Sequence, residues 1–157
     1  MSKTKSYGKK IDQALDLWIK LLRTHDTLYP ISGEFIRAHG LTPMQFNVIE
    51  CLGHLGPMLM GDLTKKQLTT GGNITVVVDN LVKLGYVKRV PSKEDGRAYY
   101  VQLTPKGTKF FKKTFQPYAK FIASLVSVLS ESEQKQLSNL LKKLGTSVAK
   151  NYNLQQD

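Results

Sequence analysis

Residues 93–97 read Lys-Glu-Asp-Gly-Arg, four charges and a glycine joining two runs of strand-like composition, residues 86–90 and 98–103. A hairpin closes with a two-residue Asn-Gly or Asp-Gly turn and has no need of such a tip. The charges therefore point to an external partner. An arginine at a hairpin tip, here Arg97, can enter a minor groove, whose narrow A·T stretches concentrate negative potential. Asp95 can hold the guanidinium in one pose, and Gly96 permits the tight turn. Lys88, Arg89 and Lys93 are placed to lie along phosphates. A second group lies upstream in Thr70-Gly71-Gly72-Asn73-Ile74-Thr75-Val76. Thr70 is an N-cap by type. Gly71 and Gly72 would let the backbone approach a phosphate at a helix N-terminus, where unpaired N–H groups favour anions. Asn73 can bond adenine bidentately, and Thr75 or Val76 can touch a thymine methyl. Either group alone would also suit a solvated turn. Together they have the chemistry of duplex reading.

For both groups to share one surface, a helix must start near residue 71 and the hairpin must follow it. Residues 71–84 place Ile74, Val77, Val78, Leu81 and Leu84 on one helical face. That period, sustained over four turns, outweighs the strand propensity of three successive valines. Gly85 ends the helix at a position that favours left-handed backbone. Before it, Thr42-Pro43 opens a helix over residues 44–54, with Phe46, Val48, Ile49 and Leu52 as its apolar side. A short helix over residues 59–67, anchored by Leu63, follows. Helix, turn, helix and two-stranded ribbon make a winged helix.

Longer helices flank this unit. Ile11, Leu15, Trp18, Leu22, His25 and Tyr29 form one stripe, widened by Leu17, Leu21 and Leu28. Pro30 and Gly33 are expected to kink or interrupt that helix before it resumes through Phe35 and Ile36 to end near Gly40. Thr104-Pro105 opens a phenylalanine-rich helix, bent at Pro117. Ser130 and Glu133 form a capping box for a last helix carrying Leu137, Leu140, Leu141, Leu144 and Val148. The expected fold is mainly α with a small β-hairpin wing. Residues 1–40 are an N-terminal dimerisation helix, residues 41–107 the winged helix-turn-helix, and residues 108–157 C-terminal dimerisation helices. The flanking apolar faces exceed what a winged helix of this size can cover, and two symmetric copies would bury them.

Composition agrees. The 157 residues carry a formal charge of +11, which favours an anionic partner. Residues 60–113 hold eleven Lys/Arg against four Asp/Glu, so the excess is concentrated around the two groups above. The single cysteine, Cys51, excludes an intramolecular disulfide, and the scattered His25, His39 and His54 offer no metal-ligand spacing. There is no nucleophile–base constellation and no phosphate-binding glycine loop after a strand, so an enzyme is not expected, nor a cofactor. No run approaches the ~20 apolar residues of a membrane span, and the basic N-terminus lacks the apolar stretch of a signal peptide. A cytoplasmic protein is expected.

The ordered set Gly71-Gly72-Asn73-Ile74-Thr75, Asp79-Asn80-Leu81, Gly85-Tyr86-Val87, Asp95-Gly96-Arg97-Ala98, Leu103-Thr104 and Lys106-Gly107 resembles the MarR family of winged-helix transcriptional regulators. The resemblance implies a homodimer on a pseudo-palindromic operator, more often a repressor than an activator. It also implies an aromatic or oxidant small-molecule effector bound between the dimer helices and the winged helix. Trp18, His25, Tyr29, Phe46 and Cys51 are the residues it places nearest such a pocket, although aromatic residues at helical spacing also serve as core. Two departures matter. The family commonly has Asp-Arg-Arg at the wing tip, and this chain has Asp95-Gly96-Arg97. Oxidant-sensing members carry their cysteine in the first helix, whereas Cys51 falls in the second. The competing reading is a winged helix for protein contacts or non-specific DNA binding, which would show steep salt dependence and no preferred half-site.

Overall fold

The computed structural model describes residues 5–66, 71–92 and 98–152, with the side chains of residues 71–73 left aside. Six helices and three short strands follow one another as α1 (Lys9–Ala38), α2 (Pro43–Leu55), β1 (Met58–Leu59), α3 (Met60–Lys66), α4 (Gly71–Lys83), β2 (Val87–Pro91), β3 (Tyr99–Leu103), α5 (Pro105–Val126) and α6 (Glu131–Asn151).

The helix starts are those their sequences dictate. Thr42 accepts a hydrogen bond from the Gln45 amide while the Gln45 side chain accepts from the Thr42 amide, with Pro43 at the first helical position. Ser130 and Glu133 form the same reciprocal pair at α6, and those bonds hold the exposed Glu133 carboxyl below its usual range. Thr104 caps α5 by accepting from the Gly107 amide, and its hydroxyl donates to the Gly85 carbonyl, joining the end of α4 to the start of α5.

The core lies where α1, α2, α3, α4 and the sheet converge. Ile36, Phe46, Val48, Ile49, Leu63, Ile74, Val78, Leu81, Val87 and Val101 are its fully enclosed apolar side chains. Of the apolar face expected of α4, Ile74, Val78 and Leu81 are buried and Val77 is half-buried, whereas Leu84 lies just past the helix and is exposed. Gly85, with φ +74°, ends it as expected.

Two details differ from the sequence expectations. Residues 9–38 form one helix through Pro30, without interruption. Gly33 is buried instead of breaking the helix: a Cβ there would meet the Arg37 guanidinium at 3.0 Å and the Pro43 ring at 3.4 Å, so it is where α1 approaches the start of α2. The ribbon has a third strand. Met58 pairs with Val101 and Leu59 with Tyr100, giving an antiparallel sheet in the order β1-β3-β2, and α3 accordingly starts at Met60. A two-residue strand carries no period of its own, so it is set entirely by its partner. The α5 helix runs on through Pro117.

Outside the core, α1 and α6 remain largely uncovered. Ile11, Leu15, Trp18, Ile19 and Leu22 on α1, and Leu137, Leu140, Leu141, Leu144 and Val148 on α6, are all exposed in the single chain. Among the described residues, α6 makes no extensive contact with another element, although Ala149 near its end is buried. It is tied to the end of α5 by the Gln134 amide, which donates to the Val126 and Leu129 carbonyls.

Candidate nucleic-acid interface

The inner face of α4 is fixed by Ile74, Val78 and Leu81. Successive helical positions turn through about 100°, so Thr75 and Val76 project outward, and both are exposed, Val76 to 59%. Val76 thus presents an apolar side chain to the surface in the first two turns of the helix. The Gly71 backbone is helical, as the N-terminal approach to a phosphate requires. Thr70 lies outside the described residues, as do Lys93, Asp95 and Arg97 of the tip.

The two strands that carry the tip are well defined. Val87 faces Leu103, Lys88 faces Gln102 and Arg89 faces Val101, and the Ser92 amide extends the ladder to the Ala98 carbonyl. Because side chains alternate along a strand, Lys88 and Arg89 leave β2 on opposite faces. Arg89 turns toward α4, where its guanidinium donates to the Asp79 carboxylate at 2.6 Å. It thus braces the ribbon against the helix through one of its guanidinium nitrogens. Lys88 turns the other way, into a groove against Gln102 and α5. The sequence placed Asp79 and Arg89 in separate elements, and their pairing depends on the strand register.

A second brace closes the base of the ribbon. Lys106 donates to the Leu84 carbonyl at 2.7 Å and lies 4.8 Å from the centre of the Tyr86 ring. A cation on the last carbonyls of α4 complements that helix's dipole. Gly107 is buried so closely that a Cβ would overlap the Tyr86 carbonyl oxygen.

The five residues expected near an effector are not gathered into one cavity in the single chain. Trp18, His25 and Tyr29 lie on the exposed face of α1, with the His25 and Tyr29 rings stacked at 5.2 Å. Phe46 is wholly enclosed and meets Tyr118 edge-on. Cys51 is half-buried, with its thiol donating to the Met58 sulfur at 3.5 Å. Sequence reasoning passed over a polar group beside Phe46. Burial pushes the Glu50 carboxyl up despite His54 one turn on, and it pushes the Tyr118 hydroxyl up too, helped by Glu50 and opposed by a hydrogen bond with Ser32. Glu50 stands among apolar residues on α2, and only the arrival of α5 makes its burial evident. Among the described residues no cluster of His, Cys, Asp or Glu could hold a metal ion, and no helix is long and apolar enough to cross a membrane.

The fold is matched by known proteins. Residues 39–98 fit the model of the MarR family. The HTH-type transcriptional regulator MhqR of Bacillus subtilis is 32% identical over 142 residues, covering 90% of this chain and 98% of its own length. Among solved structures of lower identity, which speak for the fold, a cysteine-to-serine variant of MarR from E. coli complexed with operator DNA superposes with a TM-score of 0.77 at 23% identity, covering 87% of this chain and 99% of its own. NadR in complex with 4-hydroxyphenylacetate superposes with a TM-score of 0.70 at 22% identity, covering 90% of this chain and 96% of its own. Residue pattern, fold and relatives agree: the chain belongs to the MarR family of winged-helix proteins and is a DNA-binding transcriptional regulator, not an enzyme.

Proposed function

We propose that the protein is a cytoplasmic, homodimeric repressor that occupies a pseudo-palindromic operator and responds to a small aromatic or oxidant effector. The observation carrying this reading is the outward face of α4, held at a set angle to the ribbon by Asp79 and Arg89. In it Asn73 and Thr75 read bases and Val76 packs on a thymine methyl. Gly71, Gly72 and the Thr70 cap seat a phosphate at the helix start. Arg97, steadied by Asp95, enters the minor groove, and Lys93 follows the backbone. Residues 41–107 act as the reading unit. The exposed apolar faces of α1 and α6 support a dimer that covers both, setting two copies of α4 about one helical turn, roughly 34 Å, apart.

The effector would lie between the dimer helices and the winged helix, with Trp18, His25 and Tyr29 supplied by the α1 face and Phe46 and Cys51 behind it. The aromatic ligand of NadR supports the ligand class. The test is a titration of the purified protein against the duplex upstream of its own gene and against a scrambled duplex, at two salt concentrations. A preference of about a thousandfold, with two chains per site, is expected. Equal and steeply salt-dependent binding to both, repeated for other intergenic duplexes, would replace the operator reading with non-specific binding.

A further inference from the structure

The start of α5 has its charges the wrong way round. Cations are disfavoured at a helix N-terminus, where the dipole is already positive. The α6 helix follows that rule, with Glu131 and Glu133 in its first turn and Lys150 in its last. By contrast, α5 has Lys106, Lys109, Lys112 and Lys113 in its first nine residues and no acidic residue anywhere along its length. Lys106 is occupied by the end of α4. Among the described residues, no acidic side chain pairs with Lys88, Lys109, Lys112 or Lys113.

These four lysines border two open grooves, of about 760 Å³ and 320 Å³, which share Leu103, Thr108 and Lys112. The grooves run across the base of the ribbon, between β3, the end of α2 and the first turns of α5. Their floor is apolar: Leu52, Leu103, Phe111 and the rings of Pro57 and Pro105. Gly53 lets Phe111 lie against α2, since a Cβ there would come within 2.6 Å of the ring. No carboxylate lines either groove. The site lies at the end of the strands away from the ribbon tip and is separate from the polar group around Glu50 and Tyr118.

We propose that this groove binds a small amphipathic anion, an apolar ring or chain bearing a carboxylate or sulfonate, with its body on Leu103 and Phe111 and its head between Lys88, Lys109 and Lys112. Volumes of this size suit such a molecule, and its charge offsets the uncompensated cations at the positive end of α5. The groove touches both α2 and the strand leading into α5, so occupancy bears on the join between the winged helix and the flanking helices. Binding itself does not depend on the operator reading, which is measured separately.

The test uses the full-length protein and two fluorescent naphthalene probes of similar body, anionic 1-anilinonaphthalene-8-sulfonate and neutral N-phenyl-1-naphthylamine. The variants are Lys109→Gln/Lys112→Gln and, as a control on α6, Lys142→Gln/Lys143→Gln. Matching far-ultraviolet circular dichroism and melting temperature establish that each folds. The α5 variant is expected to bind the anionic probe about tenfold more weakly, with the neutral probe unaffected. The α6 control should bind both as the parent does. Equal affinity of parent and α5 variant for the anionic probe would overturn the proposal, as would a matching loss for the neutral probe. DNA affinity measured without probe decides the remaining alternative. An α5 variant that loses it would place these lysines on the nucleic-acid surface and overturn the ligand site, whereas unchanged DNA affinity supports the proposal.

Discussion

A carboxylate buried by neighbours that do not neutralise it is a built-in cost, and Glu50 is the case here. Its carboxyl is pushed up by burial. A raised folded-state value means that the protonated form is favoured: the contribution to stability is full below the ordinary value of 4.5 and is lost as pH rises through the folded value. Glu50→Gln should therefore melt higher than the parent at pH 7, and the difference should vanish toward pH 4. A difference independent of pH in parallel melts would assign the effect to shape instead. Gly107 is the opposite case, where the smallest change is costly. Gly107→Ala drives a methyl into the Tyr86 carbonyl, and should lower stability by about 1–3 kcal/mol in denaturant titrations. Asn73→Ala should cost about 1–3 kcal/mol on an operator duplex and much less on a random one. Equal losses on both would remove Asn73 from the base-reading set.

Between elements, the pair that matters is Asp79 and Arg89. Neither side chain is deeply buried, so its worth to stability is small, about 0.2–1 kcal/mol. Its worth to reading DNA is larger, because it ties the helix to the ribbon. Asp79→Asn and Arg89→Gln should each weaken operator binding while barely moving the melting temperature, and the double variant should lose little more than either single one. Fully additive losses in that double-mutant cycle would mean that Arg89 touches phosphate independently. This pairing was beyond the reach of sequence periodicity. The period of α4 was legible in Ile74, Val78 and Leu81, and the strands in their composition, whereas the register that sets Arg89 near Asp79 is a property of the packed sheet. The β1 strand was illegible for the same reason: two residues carry no pattern until β3 is alongside.

For the whole molecule, the uncovered stripes on α1 and α6 are the dominant feature. Leu140, with 56% of its surface exposed, and Leu144 lie on the long amphipathic helix α6 and are left uncovered in the single chain. Exposed patches of this kind mark association surfaces. Leu140→Glu/Leu144→Glu should give a monomer in sedimentation velocity where the parent sediments as the proposed dimer, and should abolish the proposed two-site footprint on DNA. A variant that remains dimeric would move the interface off α6.

The chain by itself determined the helices, their caps, the winged unit and the family, because capping residues, helical periods and turn glycines act over neighbouring positions. It also determined that the protein is basic, with a formal charge of +11, since charge is a matter of composition. Only the tertiary structure decided that Arg89 braces α4, that Lys88 turns into the groove at the base of the ribbon, and that Gly33 and Pro30 sit within one helix. It also decided that Glu50 is desolvated beside Tyr118. Each of these depends on which face meets which, and that is set by the burial of Phe46, Ile49, Leu63 and Val101 in one core, where residues distant in sequence satisfy a single packing condition.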